Sequence, residues 1–304
     1  MNIANDTRWL TAFNVNLTSN SRKLYANGRQ QVEISVSVTF RSRAIFTKEQ
    51  LDNIRLVILD DNGAYQELSG ELNVSTERDT RFHYYADTGA PPAPLLQPYS
   101  IRRRFYVSST RPGGSLDRIY AAINKDRDTL YVSHTSVFNS SVEVESLTPL
   151  RLTRDDIEFS REDNHHQVVN ATDWDYDVYQ LSFKGRNLKM VQSVSYGTGS
   201  GYLYYSNVIE DYGYFADGEP RSNMHIAYAV GPQTKFRLPR SILSVRRRPA
   251  SMVFIRIATH GPVTVSGDSR SLSQWGLIDQ YGNEHMIEMT QEDNGNLIDF
   301  VMKQ

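Results

Sequence analysis

Apolar and polar residues alternate with a period of two along much of this chain. Val32, Ile34, Val36, Val38 and Phe40 are apolar, and Glu33, Ser35, Ser37 and Thr39 separate them. Successive side chains of a strand point to opposite faces, so this stretch predicts a half-buried strand with one face on a core. The run TKEQLDN follows, where Thr47 and Gln50 have capping-box spacing and predict one or two helical turns. Leu56 to Leu59 reads as a buried strand, closed by a hairpin turn at Asp60-Asp61-Asn62-Gly63, because Asn-Gly accepts positive φ. Further strands are predicted near 81–86, 101–107, 117–123, 129–132 and 140–146. Beyond residue 172 they resume near 176–184, 187–196, 201–206, 223–230, 234–238, 251–258 and 262–265. A closing meander is predicted from QWGLID and EHMIEM, which flank Gln280-Tyr281-Gly282-Asn283, and from DNGN leading into LIDFVM. Helical periodicity never lasts the roughly 11 residues that an amphipathic helix requires.

Two stretches break the pattern. DTGAPPAPLLQPY carries four prolines and predicts a surface loop or an extended crossing segment. LTPLRLTRDDIEFSREDNHHQVVNAT, residues 147–172, is charged and poorly periodic and predicts a domain boundary somewhere within it. The expected architecture is all-β: two antiparallel β-sandwich domains, residues 1–150 and 151–304. No strict internal repeat accompanies it; RLVILDDNGAYQEL and WGLIDQYGNEHMIEM share only a strand–turn–strand pattern.

Three segments carry a resemblance. YANGRQQVEISVSVTF is similar to the opening strand, LVILDDNGAYQEL to the following strand and turn, and RRRFYVSSTRPGGSLDRIYAAI with FNSSVEVE to the closing strands of bacterial immunoglobulin-like modules of the invasin and intimin type. The resemblance covers about residues 25–146 and implies an immunoglobulin-like first domain with a spacer or adhesive role. It implies no catalytic residues, and fold does not fix function. The 70–100 region departs from those compact modules by its length and prolines.

Composition narrows the function classes. The chain of 304 residues is 39% hydrophobic and 22% charged, which suits a globular protein. Its formal net charge of -2 gives no general attraction to nucleic acid or anionic membrane. There is no cysteine, which removes disulfides, thiol nucleophiles and cysteine-based metal sites, and disfavours a eukaryotic secreted origin. The start, MNIANDTRWLTAFNV, lacks a signal-peptide pattern, and no apolar stretch approaches the ~20 residues of a membrane helix. The expectation is a cytoplasmic protein, or one exported by a non-classical route such as a virion or injection apparatus.

Candidate chemistry is sparse. Gly197-Thr198-Gly199-Ser200-Gly201 is followed by strand-like Tyr202-Leu203-Tyr204-Tyr205 and lacks a lysine, so it reads as a turn and not a phosphate cradle. Around it Tyr196, Tyr202, Tyr204, Tyr205, Tyr212 and Tyr214 fall within nineteen residues, among Gly, Ser, Asn and Asp. That vocabulary suits a ligand- or partner-binding loop, while the competing account packs half of these rings in a core. Asp173, Asp175 and Asp177 form the one weak metal alternative. A helix-loop-helix calcium site is excluded because Val178 and Lys184 stand where glycine and a carboxylate belong. The aspartates are otherwise expected on a solvent face, with Trp174 and Tyr176 on the core side.

Arg102 and Arg104, and Arg246 and Arg248, are the outer members of two arginine triplets. On a strand each pair shares a face, offering an anion contact, although charge that blocks sheet-to-sheet aggregation explains them as well. The seven histidines show no zinc motif, Asp155-Asp156 reads as part of the polar linker, and no Gly-x-Ser-x-Gly elbow is present. No catalytic residue and no cofactor are therefore expected. The function expected is non-catalytic recognition or assembly by a surface, virion or injection-apparatus component of bacterial or phage origin. Its partner would be a protein or glycan; nucleic acid is not expected, and self-association into a homo-oligomer is open. Two alternatives belong to other classes. One is a secreted or delivered toxin acting on membranes, since nine alternating residues match a membrane-spanning β-strand. The other is a carbohydrate-binding or carbohydrate-active protein.

Overall fold

The structure is a computed structural model that describes residues 2–41, 46–85, 100–169, 172–185, 187–196, 204–206, 213–214, 220–238, 241–260, 274–292 and 297–303. The described residues form an all-β protein of antiparallel sheets, with a single α-helix among them. The chain divides into two compact units, Met1–Leu150 with Tyr281–Asn283, and Arg151–Gln280 with Glu284–Gln304.

The first unit contains β1 (Asn2–Ala4), β2 (Leu10–Leu17), β3 (Lys23–Tyr25), β4 (Val32–Phe40), α1 (Lys48–Asp52), β5 (Arg55–Leu59), β6 (Tyr65–Glu67), β7 (Leu72–Ser75), β8 (Ser100–Ser109), β9 (Leu116–Asn124), β10 (Thr129–Val132) and β11 (Val142–Leu147). One sheet runs β2-β4-β8-β7; the other runs β1-β10-β9-β11-β3, with β5 on β9 and β6 on β5. The pairings are antiparallel except β1 with β10 and β11 with β3. The apolar face of β4 is realised, and on the opposite face Ser35 is buried as well. Val32, Ile34, Val36, Val38 and Phe40 are all at most 2% exposed and pack with Phe13, Phe105, Ile119, Ile123 and Tyr131 in the core of the sandwich. The outer face of the second sheet carries a smaller apolar cluster of Val57, Tyr120, Ala122, Leu130 and Val132.

Turns follow their local chemistry. Thr47 Oγ1 accepts from the Gln50 backbone and Gln50 Oε1 from the Thr47 backbone, completing the capping box of α1. Gly63, at φ 76°, closes the turn between β5 and β6, where an L side chain would be strained. The strand expected at 81–86 is absent through Tyr85. Phe82 and Tyr84 are buried and alternate with exposed neighbours, but the backbone is held by side chains instead of a ladder. Gln30 Nε2 donates to the His83 carbonyl at 3.0 Å, and the Asp79 N–H donates to Gln31 Oε1 at 2.8 Å. The strand near 262–265 and the proline-rich segment 87–99 lie outside the described residues.

One carboxylate of this unit makes a pH prediction. Asp6 is held down to about 2 from the ordinary 3.8, first by the Arg8 side chain and then by the Arg8 backbone N–H. A carboxyl depressed by folding contributes stability above its unfolded value, and that contribution is lost as pH falls through the folded value. An Asp6 carboxyl titration followed by NMR is therefore expected to have its midpoint near 2, and Asp6→Asn should flatten the acid-induced loss of stability below the unfolded value.

The second unit contains β12 (Ile157–Val169), β13 (Thr172–Phe183), β14 (Met190–Ser195), β15 (Tyr204–Ser206), β16 (Gly213–Tyr214), β17 (Pro220–Tyr228), β18 (Lys235–Leu238), β19 (Ser241–Ser244), β20 (Met252–His260), β21 (Gln274–Asp279), β22 (Glu284–Glu292) and β23 (Leu297–Met302). Its main sheet runs β12-β13-β20-β17-β15, with β16 also on β17; a second sheet runs β14-β21-β22-β23, and β18 pairs with β19. Tyr179, Leu181, Phe183, Met252 and Phe254 pack on one face with Trp275, Leu277, Ile287 and Phe300 of the second sheet. On the other face Trp174, Tyr176, Val178, Ile226, Ile255 and Ile257 pack with Phe236 and Val245.

The charged stretch after residue 147 is not an unstructured linker. It holds a 3-10 turn at Arg154–Asp156 and then the 13-residue strand β12, which pairs with β13 along its length. β12 lies at the edge of its sheet, so it needs only Ile157 and Phe159 against the core. Its charges face partners across the ladder, which is why apolar periodicity missed it.

Candidate functional site

Cross-strand register sets a row of polar residues across the main sheet of the second unit. Asp163 of β12 lies opposite Asp177 of β13, Asp177 opposite Arg256 of β20, Arg256 opposite His225 of β17, and His225 opposite Ser206 of β15. The neighbouring row, two residues along each strand, is the apolar Tyr179, Phe254 and Ala227 of the sandwich core. One sheet face thus passes from packed aromatics to buried charge within about 7 Å of strand.

Asp177 is fully buried and Arg256 is 1% exposed. Arg256 Nε donates to Asp177 Oδ2 at 2.5 Å and its Nη2 to Asp175 Oδ2 at 2.8 Å. Arg161 Nη2 reaches both Asp177 oxygens at 3.1 Å and lies 3.2 Å from Asp163 Oδ2. Burial pushes the Asp177 carboxyl up, against the pull of Arg256 and Arg161. The expectation of solvent-facing aspartates is therefore corrected at Asp177. It lies under the sheet face because the guanidinium of Arg256 shares its burial; buried charge is tolerated when paired and hydrogen-bonded. Trp174 and Tyr176 are buried as expected, at 1% and 2%.

The metal alternative changes membership. Asp175 and Asp177 are brought together, while Asp173 pairs instead with His166 Nε2. Asp163 takes the third place, and the carboxylate oxygens of Asp163, Asp175 and Asp177 lie within 4.8 Å of one another. Two guanidiniums already share these three carboxylates, and a calcium ion asks for six to eight oxygens, so the chemistry of the set is that of an ion-pair network. The signal available in the sequence is that Arg161 and Asp163, two residues apart, share one face if this stretch is a strand.

The tyrosine-rich segment is anchored to this scaffold at three places. The Tyr196 N–H donates to the Gln274 carbonyl at 3.2 Å, and the half-exposed ring sends its hydroxyl to Glu284 Oε1. Gly276 lies beneath, where a Cβ would meet both the Glu284 carboxylate and the Tyr196 ring. Further along, Tyr204 and Tyr205 of β15 stand opposite Ala227 and Ile226 of β17, and Tyr214 of β16 stands opposite Pro220. Tyr202, Tyr212 and the Gly197–Gly201 turn lie outside the described residues.

The arginine triplets part company. Arg102 and Arg104 are on β8 as expected, opposite Ser37 and Ser35 of β4, and Arg104 pairs with Glu33 at 3.5 Å. Arg246–Arg248 is not on a strand: it lies in the connection between β19 and β20, so the outer two share no strand face. Arg246 is exposed, Arg248 pairs with Glu158 at 2.6 Å, and the middle member, Arg247, is buried. Of the histidines, His134 Nδ1 meets the Tyr65 hydroxyl at 2.6 Å and His285 Nε2 meets buried Asp279 at 3.3 Å. His165 and His166 belong to β12 and not to a linker. Asp156 caps the Thr153 backbone at 2.8 Å.

No family model matches this chain, and no curated protein does. Among solved structures it is similar to the partial N-terminal region of an enterococcal surface protein, at 10% identity and a TM-score of 0.22, covering 97% of this chain and 94% of that one. No helix among the described residues is long and apolar enough to cross a membrane.

Proposed function

We propose that this protein is a non-catalytic recognition or assembly component, of bacterial or phage origin, that binds a protein or glycan through its tyrosine-rich segment. The observation that carries the reading is the anchoring of that segment: Tyr196 tied to Glu284, and β15 and β16 registered on β17. Tyrosine supplies wide contact area and a polar tip at low conformational cost. Holding the segment's ends on rigid sheets removes part of the ordering cost that binding would otherwise incur. The buried charges beside it are engaged with one another in the Asp177–Arg256 network, which suits a scaffold role.

The test is to incubate the protein with a glycan panel and recover each ligand for mass analysis, alongside dye release from liposomes. Retention of a ligand at unchanged mass, with dye retained, is the expected result. A shortened glycan would replace this reading with a carbohydrate-active one, and dye release with a membrane-active one.

A further inference from the structure

Among the described residues of the second unit, Arg247 and Arg256 are buried and are satisfied in opposite ways. Arg256 has two aspartates. Arg247, at 9% exposure, has only carbonyls: Nε donates to the Ser251 carbonyl at 3.1 Å, and Nη2 donates to the same oxygen at 2.5 Å and to the Ala229 carbonyl. Its Nη1 is buried with no hydrogen-bond partner, and among the described residues no carboxylate pairs with it. Phe236 lies alongside, its ring centroid 5.9 Å from the guanidinium carbon. A buried cation without a counter-charge is costly, and an orphaned buried donor calls for a partner that the chain itself does not supply. Burial alone pulls this guanidinium down to about 10, which leaves it charged at neutral pH.

The connection that carries Arg247 is built to hold it inward. Gln180, 1% exposed, donates from Nε2 to the Arg246 carbonyl at 3.1 Å and accepts the Arg248 N–H at 2.8 Å. Ser251 Oγ closes the loop onto the Arg248 carbonyl at 2.7 Å. Ala250 sits in the left-handed region at φ 54°, a strained conformation for a residue with a Cβ. Such strain persists only where the surroundings enforce it.

We propose that Arg247 is the anchor of an anion site that takes a single carboxylate group. Two guanidinium nitrogens are committed to carbonyls, so the remaining nitrogen offers an end-on contact and not the two-point fork that a phosphate favours. One uncompensated positive charge matches one carboxylate. Nη1 is covered, so a carboxylate reaches it only when the atoms over it move aside. The carboxylate belongs either to a small organic acid or to a peptide C-terminus.

The test titrates the whole protein with sodium formate, N-acetylglycine or N-acetylglycinamide against sodium chloride, at constant ionic strength, and follows the melting temperature. A ligand that binds only the folded state raises it saturably, here by about 2–4 °C. Formate and N-acetylglycine should produce the rise in the wild type and not in Arg247→Met, and N-acetylglycinamide in neither. A larger rise with N-acetylglycine than with formate assigns the site to a chain end; equal rises assign it to small acids. An equal rise in wild type and variant, or a rise with N-acetylglycinamide, overturns the proposal. The arginine side-chain NMR signals of the wild type need no variant: formate should move the Arg247 resonance and leave that of Arg256 in place, and an unmoved Arg247 resonance overturns the site. The tyrosine-rich segment takes no part in this experiment, so either proposal can fail alone.

Discussion

Replacing Arg256 with leucine is expected to destabilise the second unit by about 3–5 kcal/mol, because it leaves a buried carboxylate short of its main partner. Asp177, fully buried, would keep only Arg161, whose side chain is one-third exposed. Asp175 would lose its guanidinium as well. A urea titration followed by tryptophan fluorescence reads the loss, since Trp174 and Trp275 both report on this unit. Adding Asp177→Leu to Arg256→Leu should recover most of it, because an apolar pair of similar volume is tolerated where a lone charge is not. A single variant within about 0.5 kcal/mol of wild type would mean that water already reaches the network.

Trp174 gives the second large effect, and its two variants should diverge. The indole is 1% exposed and packs with Tyr176 at a ring-centroid distance of 6.4 Å, among Ile226, Phe236 and Ile257. Trp174→Ala opens a cavity in that cluster and is expected to cost about 3–5 kcal/mol. Trp174→Phe keeps much of the volume and should cost less than about 1.5 kcal/mol. It also removes an indole Nε1 donor that is buried without an acceptor, which offsets part of the lost packing. Calorimetry on both variants checks the difference; equal losses would show that a phenyl ring recovers none of the packing the indole makes in this cluster.

Where one strand sees a core, the sequence was readable. The alternation of β4, the capping box of α1 and the Gly63 turn are local consequences of side-chain period, hydrogen-bond reach and backbone sterics, and the structure contains each of them. The all-β class followed from the same local signals. β12 was hidden because its own charges find their partners across the ladder: Arg161 bonds Asp177 and Asp163 stands opposite it, a relation that no single strand displays. Phe82 and Tyr84 show the converse, a true period of two without a strand. Their segment is pinned by Gln30 and Gln31 side chains instead. At the candidate site, Trp174 and Tyr176 were placed correctly by alternation, while the burial of Asp177 depended on Arg256, 79 residues away. Arg247 is indistinguishable from its two neighbours in sequence; the Gln180 and Ser251 bonds to the flanking backbone, distant or out of register with it, hold it inward.

Recognition by the tyrosine-rich segment is tested most directly by a triple variant, Tyr202, Tyr204 and Tyr212 to alanine, screened beside the wild type on glycan and protein arrays with melting temperatures in parallel. The account predicts that ligands retained by the wild type are lost while the melting temperature stays the same. Ligands still retained by the variant, or a collapse of the fold that marks these rings as core, would contradict it.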